Sequence, residues 1–100
     1  MPSLKMKVPH GLAQPEALTR IKNLLNTLKR EQNDKISNVK ESWTDESGNF
    51  QFTAQGFNIA GVIHVHPSSI DINADVPFAV SLFKGKIKKL IEEKAKELLS

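Results

Sequence analysis

The sequence predicts an α+β fold, in which an antiparallel sheet carries helices packed on one face and the chain ends in a long helix. Apolar and polar residues alternate over residues 4–8 and again over residues 36–74, as in strands with one buried face. Apolar residues instead recur every three or four positions over residues 18–28 and near the C-terminus, as in amphipathic helices. The predicted order is therefore strand, helix, four strands, helix.

The first strand and the first helix follow from the N-terminal third of the chain. Apolar residues alternate with lysines up to Pro9, which predicts a half-buried strand. Pro15 suits the first position of a helix, and the Asn33-Asp34 pair ends the helical pattern. The apolar stripe of this helix comprises Leu18, Ile21, Leu24, Leu25 and Leu28.

Glycine, proline and serine residues divide the following segment into four strands. Residues 45–49 have turn chemistry, and Gly56-Phe57 suits a tight hairpin with glycine at the first central position. That turn pairs Phe52 with Gly61, so that an aromatic ring covers a bare glycine. A two-residue turn at Ser68-Ser69 would place apolar residues opposite each other, with Val65 facing Ile72 and Ile63 facing Ala74.

The last helix runs to Ser100 and has a basic beginning. The residues that we expect on its inner side are Phe83, Ile87, Leu90, Ile91 and Leu98. Lys84, Lys86, Lys88 and Lys89 lie in its first turns, where the helix dipole disfavours cations by about 0.3–1 kcal/mol each. This placement indicates either an anionic partner or a well-solvated face.

Composition excludes several classes of protein. The 100 residues, of which 39% are hydrophobic and 25% charged, are typical of one globular domain spanning residues 1–100. No apolar run approaches 18 residues, so we expect no transmembrane segment, and the N-terminus lacks the apolar block of a signal peptide, which predicts a cytoplasmic protein. Without cysteine there is no disulfide and no thiolate chemistry.

The chain resembles the polyhydroxyalkanoic acid system family, small bacterial proteins often encoded near polyester-granule genes. The resemblance rests on the order and spacing of Val8-Pro9-His10, Glu41-Ser42-Trp43, Phe50-Gln51-Phe52, Gly56-Phe57, Pro77-Phe78 and Phe83-Lys84-Gly85-Lys86-Ile87. It implies a role in polyhydroxyalkanoate metabolism and brings no catalytic residues with it. In one departure from the family pattern, Lys88-Lys89 stand where an acidic residue tends to follow the last motif.

Two histidines are the strongest metal candidates. His64 and His66 are two residues apart on one strand and share a face, and the predicted register places Asp71 opposite His66 and Asn73 opposite His64. Two imidazoles and a carboxylate could bind a metal, but a cross-strand His–Asp pair on the solvent face explains them equally simply. We expect no metal, and nothing in the sequence places His10 near this pair.

Glu41 is a candidate for unusual chemistry, because alternation puts it on the core face between Val39 and Trp43. Burial would disfavour its charged form, and such groups can be functional. Alternatively, Glu41 lies near the sheet edge or in a bulge, where it reaches water or a lysine. No second catalytic group is identifiable, so we expect no enzymatic activity and no cofactor. We also expect no nucleic-acid partner, because Phe50, Phe52, Phe83 and Trp43 fall on core faces.

These observations predict a non-enzymatic accessory protein of polyhydroxyalkanoate metabolism that binds a granule surface, a granule protein or another partner. The predicted binding residues form an apolar and basic surface at the start of the last helix: Phe78, Leu82, Lys84, Lys86 and Lys88. Equally, Phe78 and Leu82 could plug the core. A carrier of a small apolar ligand, with a pocket between the sheet and the last helix, is the alternative function. The oligomeric state is open, and a homodimer is compatible with the sequence.

Overall fold

The computed structural model describes residues 3–31, 35–54 and 56–100. Its strands and helices follow the predicted order, except that two helices replace the predicted first helix and a 3₁₀ helix precedes the last helix. In chain order they are β1 (Ser3–Pro9), α1 (Gln14–Ile21), α2 (Leu24–Glu31), β2 (Ile36–Trp43), β3 (Ser47–Ala54), β4 (Phe57–Val65), β5 (Ser69–Asp75), the 3₁₀ helix (Phe78–Phe83) and α3 (Lys84–Leu99).

The strands form one five-stranded antiparallel sheet in the order β1-β5-β4-β3-β2. The helices cover one face, and apolar side chains of strands and helices meet in one core cluster. The predicted α+β class is confirmed. Of the residues expected in the core, Phe52, Ile63, Ile72 and Leu25 are buried, and Trp43 packs against them in part.

The first helical segment differs from the single helix that we predicted. It consists of α1 and α2, separated at Lys22 and Asn23, where the Asn23 N–H bonds the Arg20 carbonyl three residues back. This tighter turn lets Ile21 and Leu24 both be fully buried. The predicted helix end at Asn33-Asp34 lies outside the described residues.

Both predicted hairpin registers are wrong by two residues. Ala54 pairs with Phe57, so Phe57 belongs to β4 and not to the turn, and Gly61 lies opposite Phe50 instead of Phe52. Phe50 nevertheless covers Gly61 as the predicted aromatic would, since a Cβ there would come within 2.5 Å of the Phe50 ring.

The second hairpin shows the same displacement. Val65 pairs with Ile70 and Ile63 with Ile72, because Ser69 already belongs to β5 and bonds the N–H of His66. A shift by two residues keeps every side chain on its predicted face, so the core composition is unaffected.

Strand β2 lies at the sheet edge and contains a bulge. Its register with β3 shifts between Ser37 and Lys40, and Asn38 has a φ of 53°. The turn to β3 is shorter than predicted, because Gly48 lies within β3 opposite Trp43. The indole ring leaves no room for a Cβ at Gly48, whose nearest ring atom would be 2.5 Å away.

Candidate functional site

The chain leaves the sheet after β5 in a short 3₁₀ helix. Pro77 precedes this helix and its carbonyl accepts the Val80 N–H at 3.0 Å, while the Ser81 hydroxyl donates to the Phe78 carbonyl at 2.7 Å. Val80 is the residue that this helix buries. Local hydrogen bonds and one valine therefore hold the segment, and its larger apolar side chains are left outside the core.

Those larger side chains are strongly exposed. The exposed fraction is 77% for Phe78, 88% for Leu82 and 56% for Phe83. The alternative in which Phe78 and Leu82 plug the core is therefore wrong. The expectation that Phe83 lies on the inner side of the last helix is also wrong, because α3 begins only at Lys84 and meets its neighbours further along the chain.

Four exposed lysines follow immediately. Lys84, Lys86, Lys88 and Lys89 all lie in the first two turns of α3. Lys88 comes within 4.0 Å of Glu92, whereas the other three have no ion-pair partner among the described residues. The first turn contains no acidic residue, and no side chain caps the helix N-terminus. Positive charge from the side chains thus adds to the positive end of the helix dipole.

Exposed apolar and basic side chains are therefore adjacent along one short segment. We call this surface the tip, and define it by Phe78, Leu82, Phe83, Lys84, Lys86, Lys88 and Lys89. It contains all five predicted binding residues and two that the prediction left out, Phe83 and Lys89. The sequence does not show that Phe83 is exposed. Leu82 and Phe83 are consecutive, and periodicity alone cannot tell which of them faces the core where a helix begins.

The chain matches over residues 4–99 the family described as "Putative polyhydroxyalkanoic acid system protein (PHA_gran_rgn)". The chain belongs to this family. The resemblance stated from the sequence is thereby confirmed, and the family name links the chain to the polyhydroxyalkanoate system. A search of curated proteins finds no match to the chain. Within the described residues, no helix is long and apolar enough to cross a membrane.

The histidine pair, His64 and His66, lies on the open face of the sheet. His64 stands opposite Asp71, not opposite Asn73 as predicted, and His66 Nε2 reaches Asp71 Oδ2 diagonally at 3.0 Å. Within residues 3–31, 35–54 and 56–100, no three His, Cys, Asp or Glu side chains are grouped to hold a metal ion. The expectation that the protein needs no metal stays a prediction.

His10, which the sequence gave no reason to place near the pair, lies beside it. Pairing of β1 with β5 puts Pro9 opposite Ser69, which brings His10 to the turn after β4. The Leu12 N–H donates to His10 Nδ1 at 3.1 Å, so the neutral ring carries its proton on Nε2, which donates to the His66 carbonyl at 2.9 Å. Both ring nitrogens thus hold backbone groups in place.

Glu41 follows the edge-strand alternative. It lies opposite Phe50 on the helix-covered side of the sheet, yet it is exposed because β2 is the outermost strand. The Trp43 indole N–H donates to Glu41 Oε1 at 2.7 Å. Its carboxylate therefore orients the tryptophan that covers Gly48.

The alternative function requires a pocket between the sheet and the last helix, a region that buried apolar side chains of both occupy in the described residues. In that region Ile91 and Ala95 of α3 are buried in the same core cluster as Leu4 of β1. Two shallow depressions lie instead on the open face of the sheet and share Lys40, Gln51, Ala60 and Asp75 among their lining residues. Neither depression is lined by α3.

Proposed function

We propose that the protein is a non-enzymatic cytoplasmic accessory protein of polyhydroxyalkanoate metabolism that uses the tip to bind a granule surface or a granule protein. The observation that carries the proposal is the exposure of Phe78 and Leu82, at 77% and 88%, directly before a lysine-rich helix start. Large apolar side chains exposed together are typical of interaction surfaces.

Apolar burial supplies the driving force for this binding. Fully burying a phenylalanine or leucine side chain is worth about 1.5–3 kcal/mol. Because Phe78 and Leu82 contribute little of that to folding, most of it is available to a partner. The lysines add an electrostatic attraction that salt screens over about 10 Å at 0.1 M.

A binding role agrees with the surroundings of the groups that could otherwise act in catalysis. Glu41 accepts a hydrogen bond from Trp43, and both nitrogens of His10 bond backbone groups. His66 and Asp71 form an exposed pair on the open face of the sheet. These contacts favour structural roles for all four residues.

Co-sedimentation with isolated polyhydroxyalkanoate granules tests the proposal. The variant carries Phe78→Ser and Leu82→Ser, and the matched control carries Val62→Thr on the open face of the sheet. We expect wild type and the control to sediment with granules, and the double variant to remain in the supernatant. Circular dichroism checks that all three proteins are folded. Equal recovery of the double variant and wild type would contradict a role for the tip.

A further inference from the structure

The exposed large apolar side chains lie toward one end of the sheet. Among the described residues they are Phe57, Phe78, Leu82 and Phe83. Phe57 is the first residue of β4, whose Ala60 pairs with the last residue of β5, Asp75. Continuing that register places Phe57 level with residue 78, so the start of β4 and the 3₁₀ helix leave the sheet at the same end.

Phe57 therefore lies at the same end of the sheet as the tip, although the sequence did not predict this. It lies on the helix-covered side of β4 but is 38% exposed, since it stands at the first position of its strand. At the opposite end of the sheet, the turns after β2 and β4 carry polar residues, including Glu46, His66 and Ser68. Among the described residues, the exposed phenylalanines and the tip lysines thus lie at the same end of the sheet.

The arrangement of the apolar side chains indicates what kind of surface they fit. A 3₁₀ helix has about three residues per turn, so Phe78 and Leu82 point about 120° apart, and Phe83 lies on the same side as the buried Val80. A helix that docks in a protein groove presents its anchors along one stripe. Phe78 and Leu82 do not form one stripe, and exposed side chains on different sides of a short helix suit immersion in a fluid apolar medium better than a groove.

The charge of the tip specifies the remaining chemistry. Lys84, Lys86 and Lys89 have no acidic partner among the described residues, and the first acidic residue of α3 is Glu92. Lysines beside an anionic lipid surface each strengthen attachment. A lipid surface offers an apolar layer to the exposed apolar side chains of the tip and anionic head groups to its lysines.

We propose that the tip, together with Phe57, inserts end-on into the surface of an anionic phospholipid layer. This inference rests on the proposed function, because it names the lipid component of a granule or membrane as the partner. Phe57, Phe78, Leu82 and Phe83 enter the apolar layer, and the lysines at the start of α3 contact the lipid phosphates. The polar open face of the sheet stays in water.

Vesicle co-sedimentation tests this assignment. The probes are phosphatidylcholine vesicles, vesicles of phosphatidylcholine mixed with phosphatidylglycerol, and lipid-free polyhydroxyalkanoate particles. We expect binding to the anionic vesicles only. Replacing Lys84, Lys86, Lys88 and Lys89 by Gln should weaken that binding by about tenfold or more. The charge-matched control replaces the exposed Lys5, Lys7, Lys22 and Lys29 by Gln and should bind within about twofold of wild type, because these lysines lie outside the tip.

Phe57→Ser separates this inference from a general attraction of lysines to lipid. We expect it to reduce binding to anionic vesicles several-fold while the protein remains folded, as monitored by Trp43 fluorescence and circular dichroism. Unchanged vesicle binding by a folded Phe57→Ser protein would overturn the end-on arrangement. If the substitution prevents folding, Phe57→Leu replaces it, and we then expect vesicle binding to stay within about twofold of wild type because apolar area is retained. A greater loss with Phe57→Leu would equally contradict simple insertion.

Parallel experiments with granules distinguish failure of the inference from failure of the proposed function. Binding to intact granules without binding to anionic vesicles would overturn the lipid assignment and leave the proposed function standing. Binding to lipid-free polyester particles, or loss of granule binding when granule proteins are digested, would also overturn the lipid assignment and leave the proposed function standing. Binding to neither granules nor vesicles would overturn both. Tighter binding to single-stranded nucleic acid than to anionic vesicles would also overturn the lipid assignment, since lysines beside exposed rings can stack bases.

Discussion

The two halves of α3 contain the same types of residue in opposite surroundings. In the C-terminal half, Ile91, Ala95 and Leu99 are buried, and Lys94, whose side chain is 16% exposed, bonds Glu31 of α2 at 2.8 Å. In the N-terminal half, no residue before Ile91 is fully buried and the lysines are exposed.

Neighbouring elements cause this difference. Helices α1 and α2 pack against α3, and their contacts cluster near its end: Arg20 bonds the Ser100 carbonyl at 2.9 Å, and Glu31 bonds Lys94. The beginning of α3 follows the 3₁₀ helix, which is anchored by Val80. A lysine of α3 therefore forms an ion pair or stays exposed according to whether α2 lies beside it. The local sequence does not show which of these two outcomes occurs.

The contrast between the core and the tip predicts that a buried phenylalanine stabilises the fold, whereas an exposed one does not. Phe52→Ala removes a ring that is 5% exposed and should cost about 3–5 kcal/mol of unfolding free energy. Phe78→Ala removes a ring that is 77% exposed, so we expect a change within about 0.5 kcal/mol. Chemical denaturation of both variants measures the contrast, and equal losses would show that the tip is part of the core.

Adding a single methyl group at each of two glycines tests the same contrast between the core and the tip. A Cβ at Gly61 would come within 2.4 Å of the Asn73 carbonyl oxygen, so Gly61→Ala should destabilise the protein by about 1–3 kcal/mol. A Cβ at Gly85 meets nothing within 4 Å, and Gly85→Ala should stabilise by up to about 1 kcal/mol because alanine favours the helix. Thermal unfolding gives both signs, and destabilisation by Gly85→Ala would mean that the tip requires a flexible backbone.

The contact between Lys94 and Glu31 predicts a pH dependence of stability. The hydrogen bond from Lys94 to Glu31 raises the pKa of Lys94 above its ordinary value of 10.5. Since the pKa is higher in the folded protein, the pair stabilises the fold at lower pH, and this contribution disappears as pH rises through the raised pKa.

Denaturation of wild type and Lys94→Met, from neutral pH to well above 10.5, measures this effect. We expect the stability difference between the two proteins to shrink as pH rises. Parallel pH profiles for the two proteins would show that the contact with Glu31 does not hold α2 to α3 in solution.

The smallest expected effect is that of the four tip lysines on stability. Replacing Lys84, Lys86, Lys88 and Lys89 by Gln should leave the melting temperature unchanged or slightly raised, since cations at a helix start oppose the dipole. A marked loss of stability would indicate that these lysines support the fold and would weaken the case that they serve a partner.

The sequence was sufficient to predict strands and faces because alternation is a strong signal. Leu4, Met6 and Val8 are buried as expected, as are Ile63 and Ile72. Register was not predictable in the same way. Moving a hairpin turn by one residue moves the pairing by two, which returns apolar residues to the same face. The apolar pattern therefore fits the predicted and observed registers of both hairpins equally well.

The candidate site was predictable only in part. Lysines next to the apolar residues that follow Pro77 predict a binding surface within residues 77–89. Periodicity predicts which side of a helix a residue lies on, but not how deeply it is buried. Phe83 extends the apolar stripe of Ile87 and Ile91 on paper, yet it lies before α3 begins and is 56% exposed. His10 gave no signal at all, because its contacts depend on the pairing of β1 with β5.

Trp43, whose indole N–H bonds Glu41, also provides a fluorescent probe of this protein. The chain contains one tryptophan and no tyrosine, so its near-ultraviolet emission reports a single place, the indole over Gly48 at the end of β2. That place lies at the opposite end of the sheet from Phe57 and the tip. Unfolding should change this emission, whereas attachment through the tip should leave it unchanged, which makes loss of fold and loss of binding separately visible in one sample.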